Sequence, residues 1–226
     1  MRFTSDPPPR GPRPDKGEGS RDSYHHGNLR EALIASALAL IAERGPAGFT
    51  FAEVARAAGV SAAAPYRHFR DRNALVAEIA RQGYERFAAV LETAYNKARP
   101  DPVTAIENCG RAYLTFARQE PAAFAAMFEP GFPLEEDAAL LRASDNAFAV
   151  LRRAAEAACA AWRGSGARPP SLMVALHIWA MSHGIAALFV GRTDATRRKL
   201  PMAPEQLLEA GLLVYLQSLG LSTQMS

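Results

Sequence analysis

The sequence predicts an all-α protein, with an N-terminal three-helix helix-turn-helix unit followed by a larger helical domain. Three observations carry this expectation. Apolar residues recur at three- and four-residue spacing through most of the chain, Pro and Gly breakers cut that pattern into segments of helical length, and no stretch alternates as a half-buried strand does. No internal repeat is visible.

The elements follow in chain order. Residues 1–22, rich in Pro, Gly and charge, cannot bury enough apolar surface to order themselves and read as a flexible tail. The cations Arg10, Arg13, Lys16 and Arg21 are nearly cancelled by Asp6, Asp15, Glu18 and Asp22, so the tail reads as a solvated extension more readily than as a DNA-contacting arm. Helix 1 is expected from Asn28, with Glu31 as capping partner, to Arg44, where Gly45 and Pro46 stop it. Its core face would be Leu29, Leu33, Ala37, Leu40 and Ile41.

Thr50 and Glu53 have capping-box spacing, so a second helix starts there and buries Phe51, Val54, Ala55 and Ala58. Gly59 supplies the turn, Ser61 is placed to cap a third helix, and Val60 with Pro65 could staple it, with Tyr66 and Phe69 on its apolar side. Two short helices around a tight turn imply helix-turn-helix geometry. A fourth helix is expected from Asp71 towards Ala98, burying Leu75, Ile79, Phe87, Val90 and Leu91 and closed by Pro100 and Pro102. Five more are expected at about 102–119, 121–128, 134–163, 171–190 and 204–219.

Composition fits that plan. A chain of 226 residues, 49% hydrophobic and 22% charged, is an ordinary globular protein of one large or two small domains. The net charge of +3 lies wholly in the N-terminal part: residues 1–82 hold 12 Lys/Arg against 9 Asp/Glu, and the rest holds 14 of each. A polyanion would be met there. Cys109 and Cys159 sit among alanines in predicted helices, as small buried hydrophobes rather than a disulfide framework, which suits a reducing cytoplasm. The polar, Pro-rich N-terminus lacks the apolar core of a secretory signal. From Pro169 to Gly191 no residue is charged, long enough to cross a bilayer. His177, Ser182, His183 and Gly184 within it, and amphipathic neighbours, favour a buried interface helix over a membrane anchor.

Taken together, Arg30, Ala37, Gly45, Phe49-Thr50-Phe51, Val54-Ala55, Ala58-Gly59-Val60-Ser61, Tyr66, Phe69, Arg72 and Leu75 resemble the DNA-binding domain of the TetR family of bacterial transcription regulators. The sequence departs from that pattern at Ala64, Pro65 and Asn73. Further on, Trp179, His183 and Gly184 resemble the C-terminal domain of the subgroup named for a tryptophan, a histidine and a glycine. The resemblance implies a DNA-binding domain over about 27–87 and a ligand-binding and dimerisation domain over about 88–222. It also implies a homodimer through the last two helices, a double-stranded operator as partner and a small-molecule effector. The residues agree with the dimer: Ala175, Gly184, Ala186, Ala187, Ala210 and Gly211 let helices approach, and Leu207, Leu208, Leu212, Val214, Tyr215 and Leu219 supply apolar area.

At the third helix, the first turn and its side chains would face the major groove. Ser61 caps it; Ala62, Ala63 and Ala64 are too short to hydrogen-bond a base but could touch thymine methyls, and Arg67 is the best base reader, with a phosphate contact as its other role. By family analogy Thr50, Tyr66, His68 and Arg72 would contact backbone phosphates. So few long polar side chains leave much of the selectivity to DNA shape.

Tyr113, Phe116, Phe124, Met127, Phe128, Phe148 and Trp162, with Trp179 and His183, form the candidate effector pocket, although such stripes are more often a plain core. His177 and His183, six apart, point about 240° apart on a helix and cannot chelate one metal. No nucleophile with its base, phosphate loop or metal cluster points to an enzyme, and no cofactor is implied. The expected function is therefore a ligand-responsive, cytoplasmic DNA-binding regulator, a repressor released from a pseudo-palindromic operator by a small, mostly apolar effector. A helical DNA-architectural protein without an effector is the alternative.

Overall fold

The computed structural model describes residues 21–98, 101–129, 131, 137–163, 167–189 and 201–221, and among them every regular element is helical. In order these are α1 (Arg21–Arg44), α2 (Phe51–Ala57), a 3-10 turn (Pro65–Arg67), α3 (Arg72–Lys97), α4 (Pro102–Gln119), α5 (Pro121–Phe128), α6 (Ala138–Ala160), α7 (Ser171–Phe189) and α8 (Pro204–Ser218).

Two boundaries differ from expectation at the N-terminal end. Helix α1 begins at Arg21, not Asn28. Gly27 lies inside it, where a glycine costs about 1 kcal/mol relative to alanine, and Arg21 and Asp22 belong to the helix rather than to a tail. The rest of the tail, residues 1–20, lies outside the described residues. The helix ends at Gly45, whose φ of 79° is left-handed and whose amide bonds the Ile41 carbonyl at 2.8 Å.

Around α2 the local chemistry is as expected. The Glu53 amide donates to Thr50 Oγ1 at 3.3 Å, while the Thr50 amide and hydroxyl donate to Glu53 Oε2 at 2.8 and 2.9 Å. At the other end Gly59 (φ 70°) donates to Arg56 and Val60 to Ala55, the paired bonds of a Schellman motif.

The third helix is the larger difference. Ser61 does not cap an α-helix: the Ala64 amide bonds the Ser61 carbonyl at 3.0 Å, and a 3-10 turn follows whose N-cap is Ala64, with no side-chain cap. Pro65 accounts for this, because it has no amide to bond the Ser61 carbonyl in an i→i−4 ladder. Pro65 and Phe69 are buried, so the turn is anchored by its two ends.

Helix α3 joins the two halves of the protein. Asp71 caps it, accepting from the Ala74 amide at 2.8 Å, and its 26 residues span about 39 Å. It buries Leu75, Val76, Ile79 and Ala80 in its first half and Tyr84, Phe87 and Leu91 in its second. Gly83 is where α5 crosses closely, since a Cβ there would lie 2.8 Å from Met127 Sδ. Val90, expected inside, is 38% exposed. Helical periodicity places it on the side towards α4, but the seam between the two helices stays open at that level.

Prolines and acids fix the next boundaries. Asp101 caps α4 ahead of Pro102, Pro121 opens α5, and Asp137 caps α6 through the Ala139 and Leu140 amides. Helix α6 thus starts at 138 rather than 134, where a carboxylate can take the orphan amides. Helix α4 is central and packs against α3, α5, α6, α7 and α8. Cys109 and Cys159 are buried and unpaired, and burial pushes the Cys109 thiol up to about 12.

Helix α7 is long and apolar enough to cross a membrane by length and composition alone. It buries Val174, Ala175, Ile178, Ser182, Ile185 and Ala186 against the bundle. It is not enclosed on all sides within one chain: Leu172, Met173, Leu176 and Leu188 are exposed, as are Leu213 and Val214 of α8.

Candidate DNA-docking face and regulatory core

The N-terminal candidates lie at or near the surface. Thr50 at the start of α2, Ser61, Ala62 and Ala63 after the turn, and Tyr66 and Arg67 in the 3-10 segment are all exposed, while Ala64, His68 and Arg72 are half-buried. Tyr66 is 62% exposed, yet its ring stands edge-on to Phe51 with centroids 5.0 Å apart, which steadies an otherwise solvated side chain. Arg72 is partly committed inside the protein. Its Nη1 donates to the Pro46 carbonyl at 2.5 Å, its Nη2 to Asn73 Oδ1 at 3.1 Å, and its guanidinium lies 5.5 Å from the Phe49 ring centroid. It therefore holds the loop before α2 against the start of α3.

Arg30, legible in the sequence only as part of a pattern, has a comparable role. It reaches from α1 to Glu78 of α3 at 3.0 Å and covers the Phe69 ring at 5.1 Å, tying both helices to the segment just after the 3-10 turn. Glu78 also accepts from Arg81 and Gln82, and these bonds hold its carboxyl down to about 2. Glu53 is likewise held at about 2, first by the Thr50 amide, then by the Thr50 hydroxyl and Arg44.

Most of the candidate pocket residues meet between α3, α4, α5, α6 and α7. Tyr113 is central: its ring stands edge-on to Phe87 (4.9 Å), Trp179 (5.4 Å) and Phe124 (6.0 Å) and stacks near Phe128 (6.3 Å). Its hydroxyl is hydrogen-bonded to His183 Nδ1 at 2.9 Å. His183 also faces Phe128 at 4.7 Å and Phe124 at 5.7 Å, while Phe116 leans on Phe87 and Phe148 on Trp179. Met127 is fully buried, and its carbonyl accepts the Tyr84 hydroxyl at 3.0 Å. Trp162 lies elsewhere: just past the end of α6 its indole donates to the Leu219 carbonyl at 2.9 Å, fastening α6 to α8. Phe87 and Tyr84 were the omissions. Both belong to the cluster, and their helical spacing with Leu91 on α3 was the available signal.

Burial holds the Tyr113 phenol well above its ordinary range and lowers His183, the latter partly opposed by Glu129. His177 instead meets the Tyr215 hydroxyl at 2.9 Å, so the two histidines serve different contacts. A folded-state histidine pKa below the unfolded value of 6.5 favours the neutral ring, so its contribution is complete above pH 6.5 and declines as pH falls below it. The Glu78 contribution is complete above about 4.5 and declines towards about 2. Urea midpoints measured against pH should therefore fall in two steps, and His183→Gln should remove the upper one only.

A helix-turn-helix unit joined by one long helix to a helical core rich in aromatic rings is the arrangement of a DNA-binding transcription regulator. Residues 33–79 match the family described as bacterial regulatory proteins, tetR family, and residues 106–214 match the tetracyclin repressor-like C-terminal domain, of the Trp-His-Gly type. The chain belongs to the TetR family. A protein of unknown function from Rhodococcus sp. RHA1 has a similar structure, with 29% identity, coverage of 88% of this chain and 100% of that one, and a TM-score of 0.72. The TetR family regulator PfmR from Thermus thermophilus follows at 20%, 82%, 97% and 0.64. AibR, in complex with isovaleryl coenzyme A and operator DNA, gives 19%, 82%, 97% and 0.64. No curated protein sequence matches the chain.

Proposed function

We propose that this TetR-family regulator is a cytoplasmic repressor that binds a pseudo-palindromic operator as a homodimer and leaves it when a small, mostly apolar effector enters the aromatic core. The carrying observation is the exposure of Thr50, Ser61, Ala62, Ala63, Tyr66 and Arg67 within the segment that matches the family's DNA-binding domain. Docking belongs to residues 27–87 and control to 88–222. Effector contacts come from Tyr113, Phe116, Phe124, Met127, Phe128, Phe148, Trp179 and His183, with Trp162 at the far end of α6. AibR, which shares the fold, is known with both isovaleryl coenzyme A and operator DNA bound, and this supports the part of the reading that makes the chain a ligand-responsive DNA-binding regulator.

The second copy would cover the exposed apolar faces of α7 and α8. Gly184 supports this placement. A Cβ at Gly110 or Gly211 would lie 3.0 Å or less from a side chain of its own chain, but a Cβ at Gly184 meets nothing within 4 Å. The open space there suits a helix arriving from outside.

The deciding experiment is fluorescence anisotropy with DNA from upstream of the gene and with random DNA, across a salt series. Two chains per operator and affinities separated by about 10³-fold or more are expected. Near-equal affinities would instead establish the architectural alternative, which the alanine-lined reading face would otherwise suit. Arg67→Ala should weaken operator binding by about 1–3 kcal/mol and relax preference at one position. A uniform loss on both DNAs, with a shallower salt slope, would reassign Arg67 to a phosphate.

A further inference from the structure

Away from the aromatic core, the seam between α3 and α4 opens into a groove of about 470 Å³. Its walls repeat one pattern on each helix. Val90, Ala94 and Lys97 line the α3 side and Asn108, Ala112 and Thr115 the α4 side, each at i, i+4 and i+7 on a single helical face. The helices run antiparallel here, because Cys109 Sγ approaches the Leu91 carbonyl at 3.8 Å while Phe87 packs on Phe116. Asn108 therefore lies at the Lys97 end and Thr115 at the Val90 end. The groove has a polar head, a mainly apolar middle in which the Thr93 hydroxyl is spent on the Ala89 carbonyl at 2.9 Å, and the Thr115 hydroxyl at its far end.

The head is chemically unspent. Among the described residues Lys97, Asn108 and Thr115 make no side-chain hydrogen bond or ion pair, although Glu92, nearby on α3, is paired with Arg153 and Asn96. Among the described residues Lys97 is the only ionisable one lining the groove, and its charge selects an anion. From Val90 to Lys97 the helix rises about 10 Å, the length of an extended chain of roughly eight carbons. The volume lies in the range of small-molecule sites, and the exposed Val90 has apolar surface that a bound chain would remove from water.

We infer that the α3–α4 groove is a second small-molecule site, separate from the aromatic core, that takes a medium-chain monocarboxylate. Its carboxylate meets Lys97 and Asn108, and its alkyl chain lies over Ala94, Val90 and Ala112. Such a ligand bridges the C-terminal third of α3 to α4 and stiffens the seam of the helix that carries the docking unit at its other end. The inference concerns binding alone and does not depend on which effector the aromatic core accepts.

Titration calorimetry of the full chain with sodium octanoate, below its micelle concentration, tests it. One site per chain is expected, with octylamine at least about fivefold weaker. Lys97→Met should weaken octanoate by at least about fivefold and leave octan-1-ol unchanged, the scale of an exposed charge contact. Val90→Asp should abolish octanoate binding, and Phe128→Ala, in the aromatic core, should leave it intact. Lys97 and Val90 are exposed, so their variants should fold, and circular dichroism checks this. Absence of binding, equal affinity for octylamine, or loss with Phe128→Ala but not with Val90→Asp would overturn the groove site. Because no DNA is present, failure here leaves the operator-binding reading standing, and failure of operator binding leaves the groove result standing.

Discussion

Replacing Phe87 with alanine should lower the free energy of unfolding by about 3–5 kcal/mol, the scale for emptying an aromatic site in a core. Phe87 is fully buried, and its ring touches Tyr113, Phe116 and Trp179 at centroid distances of 4.9 to 5.9 Å. Each ring contact adds about 0.5–1.5 kcal/mol beyond area burial, and the neighbours come from two different helices, which cannot both move in to fill the space. Urea unfolding followed by circular dichroism measures the loss. Phe87→Leu should cost clearly less, because it keeps most of the volume and loses only the ring geometry. Equal losses for the two variants would show that volume is irrelevant and that the ring edges alone hold the site.

Gly48→Ala should be the most damaging change in the docking unit relative to its size. A Cβ at Gly48 would sit 2.3 Å from the Arg44 carbonyl oxygen and 2.6 Å from Arg44 Cβ, and a backbone atom cannot swing aside as a side-chain tip can. The turn closed by the Gly48 amide on the Gly45 carbonyl would have to open. Pro46, whose carbonyl receives Arg72, would shift with it, and so would the Phe49-Thr50 entry to α2. A cost of about 1–3 kcal/mol is expected, typical of overpacking, with operator affinity reduced even at temperatures where the protein is folded. Gly59→Ala is the contrast. Nothing lies within 4 Å of a Cβ there, so only the left-handed backbone is strained, at about 1–2 kcal/mol. Thermal melts and anisotropy on the same preparations separate the two effects.

Sequence alone located the elements well wherever a single local interaction sets a boundary. Pro102, Pro121 and Asp71 mark their helices because a missing amide or a carboxylate cap acts within one turn, and the capping box at Thr50 is equally local. The misses share a different cause. Pro65 could act as a staple partner of Val60 only in a helix capped by Ser61; with the ladder interrupted there, the segment is a short 3-10 turn. Val90 has the periodicity of a core residue, but whether two helices close over a position depends on neighbours that periodicity does not reveal. The bond between Tyr113 and His183, 70 residues apart, and the one from Trp162 to Leu219, 57 apart, are products of the finished packing. Residue type flagged those side chains as interesting but could not say which would meet.

Helix α3 has a consequence for engineering and for the way such chains diverge. The proposed boundary at residues 87 and 88 falls inside its unbroken 26 residues, with no linker to cut. A docking unit transplanted onto another control unit must therefore be spliced through a helix, and the splice must conserve phase. One inserted residue between Gly83 and Phe87 would rotate Arg72 relative to Phe87 by about 100° and displace it by about 1.5 Å, turning the Arg30–Glu78 tie away from the aromatic core. Chimeras that keep the residue count from Asp71 to Phe87 and preserve the Met127 contacts of Gly83 and Tyr84 should keep the two units in phase, whereas insertions or deletions of one or two residues should yield folded halves that no longer communicate.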